Sequence, residues 1–239
     1  MIKLTPRLKT IADEIEKGET MADIGTDHGF LPVYLWEAGI CPKVIMADIS
    51  RGSLSKAEQN CKGLHPDVDF DLRLGSGIEV LSEGEVDAVA IAGMGGILMT
   101  EILGADIHKA HSFKKLVLQP RNRIGQLRWW LYNNGFSIVN EKLVREGKYI
   151  CEVITAVPQE VAVAGDLGPD DIEYEFPHKL TDFKNELTED YLERKLNLEK
   201  LILSSMSEGR SEEVSELRHQ SYRVEYLEYL LRRLRNENR

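Results

Sequence analysis

Apolar residues along the first 157 positions alternate between short unbroken runs and a spacing of three or four. Leu4, Leu8, Ile11 and Ile15 form one such spaced set, so residues 6–17 are expected to be a helix started by Thr5 and Pro6. Residues 20–24, 43–49, 69–74, 86–91 and 113–118 read as short strands, and 43–49 is almost entirely apolar, the mark of a strand covered on both faces. Helical spacing occupies 30–38, 51–61, 97–103 and 124–133. Residues 136–143 and 149–157 flank Gly147 and read as an antiparallel pair at one sheet edge. The alternation predicts an α/β fold, a mainly parallel sheet of at least five β-α units that ends in a hairpin.

The pattern then changes. Residues 158–177 are a transition rich in glycine, proline and acidic groups. Leu180, Phe183, Leu187, Tyr191, Leu198 and Leu201 follow a helical stripe, a break is expected at 204–210, and Val214, Leu217, Val224, Leu227 and Leu230 continue a second stripe. Two long amphipathic helices with a short loop predict an antiparallel, coiled-coil-like hairpin. The expected division is therefore 1–157 and 158–239.

The formal charge of −10 over 239 residues excludes a wholly basic nucleic-acid binder but not a local basic patch. Residues 218–239 supply one candidate patch, with six arginines against three glutamates. Cys41, Cys61 and Cys151 are scattered, which offers neither a disulfide framework nor a CxxC site and suits a reducing cytoplasm. The histidines share no ligand spacing with them, so no metal is expected. The first residues lack the features of a signal peptide, and no run of 18 apolar residues is present to span a membrane.

Chemistry concentrates at the strand ends. The segment Asp23-Ile24-Gly25-Thr26-Asp27-His28-Gly29 lacks the middle glycine of a dinucleotide fingerprint and puts Asp27 where a pyrophosphate would lie; no P-loop lysine follows. A phosphate-free, cationic cofactor fits such a set, and S-adenosylmethionine is one. Asp23 can receive its amino group, Gly25 lets the chain pass beneath the ribose, and Asp48 at the end of the second strand can take the ribose hydroxyls. Ser76 between Gly75 and Gly77 is placed to read the adenine edge, and Ala92-Gly93-Met94-Gly95 leave an open floor. Thr26, His28, Gly29 and Ile49 complete the candidate cofactor set. His28 has two open readings, as a base or as a cap on backbone groups.

The strings LTPRLKTIADEI, MADIGTDHGFLP, AVAIAGMGG, LVLQP and RWWLYNNGF, in this order before a two-helix appendage, resemble the bacterial tRNA adenine-N1 methyltransferases that act on position 22, the TrmK family. The resemblance implies a class I methyltransferase, a Rossmann-like sheet with a C-terminal helical hairpin, acting as a monomer on N1 of an adenine in the tRNA D-arm region. It implies cofactor contacts at Asp23, Gly25 and Asp48, a catalytic role for Asp27 and a basic group at the mouth in Arg7. Ser76 departs from the Gly-Asp-Gly often found after the third strand. Ala92-Gly93-Met94-Gly95-Gly96 departs from the Asn/Asp-Pro-Pro-aromatic motif of enzymes that methylate exocyclic adenine nitrogens. Adenine N1 already carries a lone pair, so Asp27 is expected to stabilise the cationic product ring rather than to remove a proton. Gln119, Arg121, Asn122, Arg123 and Arg128 join Arg7 as candidate substrate contacts, and one of Trp129 and Trp130 as a stacking group. The alternatives are a methyltransferase for a small molecule or a protein, and a non-catalytic adaptor that binds through its hairpin.

Overall fold

The computed structural model describes residues 2–159, 167–177, 179–182, 185–208 and 214–237. The chain forms two compact units, Met1–Pro169 and Asp170–Arg239. Residues 158 and 159 run on from the sheet, and Leu167 accepts a hydrogen bond from Trp129 Nε1 at 3.1 Å, so residues 158–159 and 167–169 group with the first unit.

The first unit runs α1 (Pro6–Ala12), β1 (Met21–Ile24), α2 (Phe30–Glu37), β2 (Val44–Asp48), α3 (Arg51–Leu64), β3 (Asp71–Leu74), a 3-10 turn (Gly77–Val80), β4 (Ala88–Met94), α4 (Gly96–Gly104), α5 (Ile107–Ser112), β5 (Lys115–Pro120), α6 (Ile124–Asn133), β6 (Phe136–Glu146) and β7 (Tyr149–Pro158). The seven strands lie in the order β3-β2-β1-β4-β5-β7-β6. β1 to β5 are parallel, and β7 runs against both of its neighbours. The order reverses between β1 and β4, which opens a crevice at their carboxyl ends.

Alternation of side chains makes three layers. Ala22, Ile24, Ile45, Ala47, Val89 and Ile91 face one core with Met99, Leu103, Leu127 and Leu131 from α4 and α6. Met21, Val44, Met46, Ala88 and Ala90 face the other with Ile11, Leu31, Leu35 and Ala57 from α1 to α3. This is the Rossmann-like sheet expected from the sequence.

Several boundaries move. α1 ends at Ala12 rather than Lys17, because Glu14 turns inward. Its carboxylate takes the Asn140 amide at 3.1 Å, the Thr155 hydroxyl at 2.5 Å and the Lys142 ammonium at 2.7 Å. β4 and β5 run on through Met94 and Pro120, with a bulge between Ala92 and Met94.

Arg128 corrects one expectation. It is fully buried inside the first unit, where Nε lies 2.7 Å from Glu141 and a second nitrogen is bonded to Glu152. A side chain so enclosed cannot touch a substrate. It ties α6 to both strands of the β6–β7 hairpin.

The second unit contains α7 (Ile172–Glu175), α8 (Lys179–Asp182), α9 (Thr188–Glu208) and α10 (Val214–Glu237). Arg235 pairs with Glu189 and Glu193, whereas Arg223 and Gln220 pair with Glu199, so α9 and α10 are antiparallel. The expected break overlaps α9, which stays helical through Glu208; residues 209–213, together with His178 and Phe183, lie outside the described residues. Leu198 and Leu201 are exposed rather than interfacial. The seam instead runs through Tyr191, Leu192 and Glu199 against Gln220, Val224, Leu227, Leu231 and Leu234, and the two hydrogen-bonding partners of Glu199 make its burial tolerable.

Removing one partner from a buried ion cluster leaves uncompensated charge in a poorly solvated place. Arg128→Ala is therefore expected to destabilise the first unit by about 3–5 kcal/mol, read from urea unfolding. A loss below about 1 kcal/mol, the range of exposed ion pairs, would show that the cluster does not hold the hairpin.

Candidate functional site

The crevice is assembled from loops that each hold the next. Gly25 N and Thr26 N donate to Ala47 O at 2.8 and 3.0 Å, which pins the β1 loop to β2. Gly25 has φ +80°, a left-handed conformation that favours glycine, and a Cβ there would fall 2.2 Å from the movable methyl carbon of Met94, so the backbone rather than the space sets the requirement. Thr26 Oγ1 donates to Asp23 at 2.8 Å. Asp48 accepts from Ser50 N at 2.7 Å, and its second oxygen lies 3.4 Å from Asp27 N. Gly75 N donates to Asp48 O, which draws the β3 loop in; the Ser76 side chain is exposed beyond it.

The β4 and β5 loops are joined in the same way. Arg121 N donates to Met94 O and Gly96 N to Asn122 O, at 2.8 and 3.0 Å. A Cβ on Gly96 would lie 2.4 Å from Arg123 O, so this contact excludes any side chain. Arg121, Asn122 and Arg123 are exposed at the rim, and Arg123 takes a left-handed conformation with φ +53°. Ile49 also lies exposed, just past β2, while Ala92 and Gly93 form the end of β4.

Arg7 reaches the crevice from α1. Its backbone N–H donates to Glu146 Oε2 at 3.0 Å, its Nε lies 3.5 Å from the other Glu146 oxygen, and one terminal nitrogen donates to Gln119 Oε1 at 2.9 Å. A Cβ built on Gly93 would be 4.0 Å from that guanidinium. Arg7 thus stands over the bulge of β4. Gln119 is buried and commits its amide to Arg7 and Pro120 O, so it positions Arg7 rather than meeting a substrate directly.

Other candidates take different places. The Asp27 carboxylate turns toward α3, where Lys56 Nζ is 3.1 Å away, and toward His28 Nε2 at 3.3 Å. Gly29 caps α2 with φ +71°. Trp129 binds Leu167 and Trp130 stacks near Phe136, which removes the clearest case for base stacking by either. Glu14 and Glu146 support the site without any signal in the local sequence, and Gln119, expected as a substrate contact, supports it from beneath. Glu146 meets Arg7 across 139 residues, a pairing no spacing rule suggests. Among the described residues no three His, Cys, Asp or Glu side chains gather as metal ligands, and no helix is long and apolar enough to cross a membrane.

Burial pushes the Asp23 carboxyl up to about 6; the Thr26 hydroxyl and Arg7 oppose this, and Asp48 adds to it. The arrangement is an acidic floor with glycine openings beneath a fixed arginine. It favours a cationic, phosphate-free group over a pyrophosphate.

The raised value also makes a stability prediction. Between the ordinary value of 3.8 and about 6 the folded chain holds a proton that the unfolded chain has lost, so stability falls as pH rises through that window. Above it the full penalty, about 3 kcal/mol, is present. Asp23→Asn is expected to raise the melting temperature at pH 7.5 and to leave it nearly unchanged at about pH 3, below both pKa values. An equal effect at both pH values would mean that burial does not perturb this group.

Comparison with known proteins adds a family. The chain is 36% identical over 155 residues to the tRNA (adenine(22)-N(1))-methyltransferase of Bacillus subtilis, a match that covers 65% of each chain and so just under two thirds of that enzyme. The crystal structure of the B. subtilis m1A22 tRNA methyltransferase TrmK superposes with a TM-score of 0.81 at 29% identity, covering 97% of this chain and 100% of that one. The structure of Mycoplasma capricolum TrmK with S-adenosyl-homocysteine shares the fold, with a TM-score of 0.78 at 24% identity over 95% of this chain and 97% of that one. The family described as methyltransferase domain matches residues 4–154, which contain the carboxyl ends of β1 to β5. This chain belongs to that methyltransferase domain family.

Proposed function

We propose that this chain transfers a methyl group from S-adenosylmethionine to N1 of adenine at position 22, in the D-arm region of tRNA. The observation that carries the reading is the crevice: buried Asp23 and Asp48 beside a glycine-lined floor, with Arg7 held above it by Glu146 and Gln119. Similarity to the B. subtilis enzyme of that activity supports the choice of acceptor.

When bound, S-adenosylmethionine supplies an electrophilic methyl group on a sulfonium. Asp23, once ionised, takes the cofactor's ammonium group. Asp48 keeps lone pairs for the ribose hydroxyls while it holds Ser50 and Asp27. The Ser76 hydroxyl reads the adenine edge, and Gly93 leaves space beneath the acceptor. N1 needs no base, so the protein's main contribution is alignment of the acceptor nitrogen. Asp27 pairs with Lys56 and His28 here, and it offsets the positive charge of the product ring once its carboxylate turns from them to the acceptor. Arg7, Arg121 and Arg123 hold phosphate, and the helical pair of the second unit binds the tRNA body. The cytoplasm is the compartment of this reaction.

The test is transfer of a labelled methyl group to unmodified tRNA, followed by nucleoside mapping. Label in 1-methyladenosine at position 22 is expected. A folded, cofactor-binding protein that labels no tRNA nucleoside would overturn the reading. Arg7→Ala is expected to weaken tRNA binding and to flatten its dependence on log salt by about 0.7–0.9 per phosphate lost. An unchanged slope would remove Arg7 from the phosphate contacts.

A further inference from the structure

Two exposed rings stand at the start of α2. His28 and Phe30 stack with centroids 5.4 Å apart and planes inclined by only 12°. The His28 side chain is 48% exposed and Phe30 is 38% exposed. A ring pair recruited to stabilise the fold belongs in a core, where burial of its area gives the gain. This pair instead presents its surface to solvent beside the loop that carries Asp23 and Gly25.

The surroundings fix the pair and adjust its charge. Asn60 Nδ2 donates to His28 O at 3.0 Å, which anchors the loop on α3. Lys56 and His28 both lie against Asp27, so its carboxylate does not leave a bare negative charge next to the rings. Tyr34 follows Phe30 by four residues and therefore shares its face of α2. Lys9 Nζ of α1 lies 6.0 Å from the Tyr34 ring centre. Lys9 and Arg7 are thus on a helix that runs beside this aromatic face, with Arg7 nearer the crevice. Flat rings interleaved with cations are the surface on which a single-stranded nucleic acid is held, by stacking and phosphate contact.

We propose that His28 and Phe30 form a stacking platform for an unpaired base flanking the methylated adenine of the RNA substrate. The inference rests on the RNA reading given above. A base turned out of its stack exposes the face of its neighbour. A ring pair at the mouth replaces that lost stacking, and does so without regard to base identity, because every base has a π face. Lys9 meets the phosphate between the two nucleotides and gives up Asp13 as its partner.

The experiment compares wild type, Phe30→Leu and Phe30→Tyr with unmodified tRNA and S-adenosylmethionine, and measures KM for tRNA, Kd for the cofactor and the salt dependence of tRNA binding. Phe30→Leu is expected to raise KM for tRNA about tenfold, with cofactor Kd and salt slope unchanged, and Phe30→Tyr to restore wild-type KM. Equal KM values for wild type and Phe30→Leu, with wild type active on tRNA, would overturn the platform and leave the RNA reading intact. A rise in cofactor Kd parallel to that in KM would overturn it too, because the ring then serves the cofactor. A wild type inactive on every tRNA would bring down the RNA reading, and the platform with it.

Discussion

The buried Arg128–Glu141–Glu152 cluster is the constraint on which the site depends. It fixes the β6–β7 hairpin to α6 and so sets where the rest of the hairpin can be. That hairpin carries Asn140, Lys142 and Thr155, which together seize Glu14, and it ends in Glu146, which seizes Arg7. α1 therefore has its position dictated from an edge of the sheet remote in sequence. A hydrophobic contact alone would allow α1 to slide by fractions of a turn. Directional bonds to one carboxylate at each end do not. The guanidinium over Gly93 is the outcome of this chain of supports, and the chain begins with a charge cluster that never meets solvent.

Charge is distributed with the same separation of tasks. The protein as a whole carries −10, yet the mouth of the crevice is rimmed by Arg7, Arg121 and Arg123. The negative groups at the floor are buried and few. Asp23 suffers from that burial, and a cationic group bound against it relieves the strain. A site that destabilises its own empty state in this way gains selectivity, because a neutral or anionic occupant provides no relief. Stability and recognition draw on one carboxyl group here.

Much of the fold was legible because the sheet is covered on both faces. Runs such as 43–49 and 86–91 are apolar apart from Lys43, Asp48 and Asp87, and the helices between them keep a three-or-four spacing. The strand-end loops were legible for a related reason: Gly25 meets a local backbone demand and Asp48 closes an apolar strand, and both leave their mark within a few residues. Arg128 was misread because an arginine on a helix beside a glutamine-and-tryptophan segment looks solvent-facing until its two partners on other strands are known. Leu198 and Leu201 were misread for the opposite reason. Apolar residues at helical spacing suggested a seam, but the polar pairing of Glu199 with Gln220 and Arg223 rotates the buried face away from them. Contacts that join residues 7 to 146 or 14 to 155 leave no periodic trace at all.

The clamp on Arg7 has a consequence for the order in which the molecule comes into being. Its two ends are separated by 139 residues, so loop closure of that length must precede it. During synthesis β1, β2 and β4 can pair and bury their cores while the hairpin is still inside the ribosome. The floor of the crevice is then formed, but its lid residue has no anchor. Completion of the mouth is postponed until nearly the whole first unit has emerged, because the arginine above the strand ends is held by residues of the last hairpin to be made.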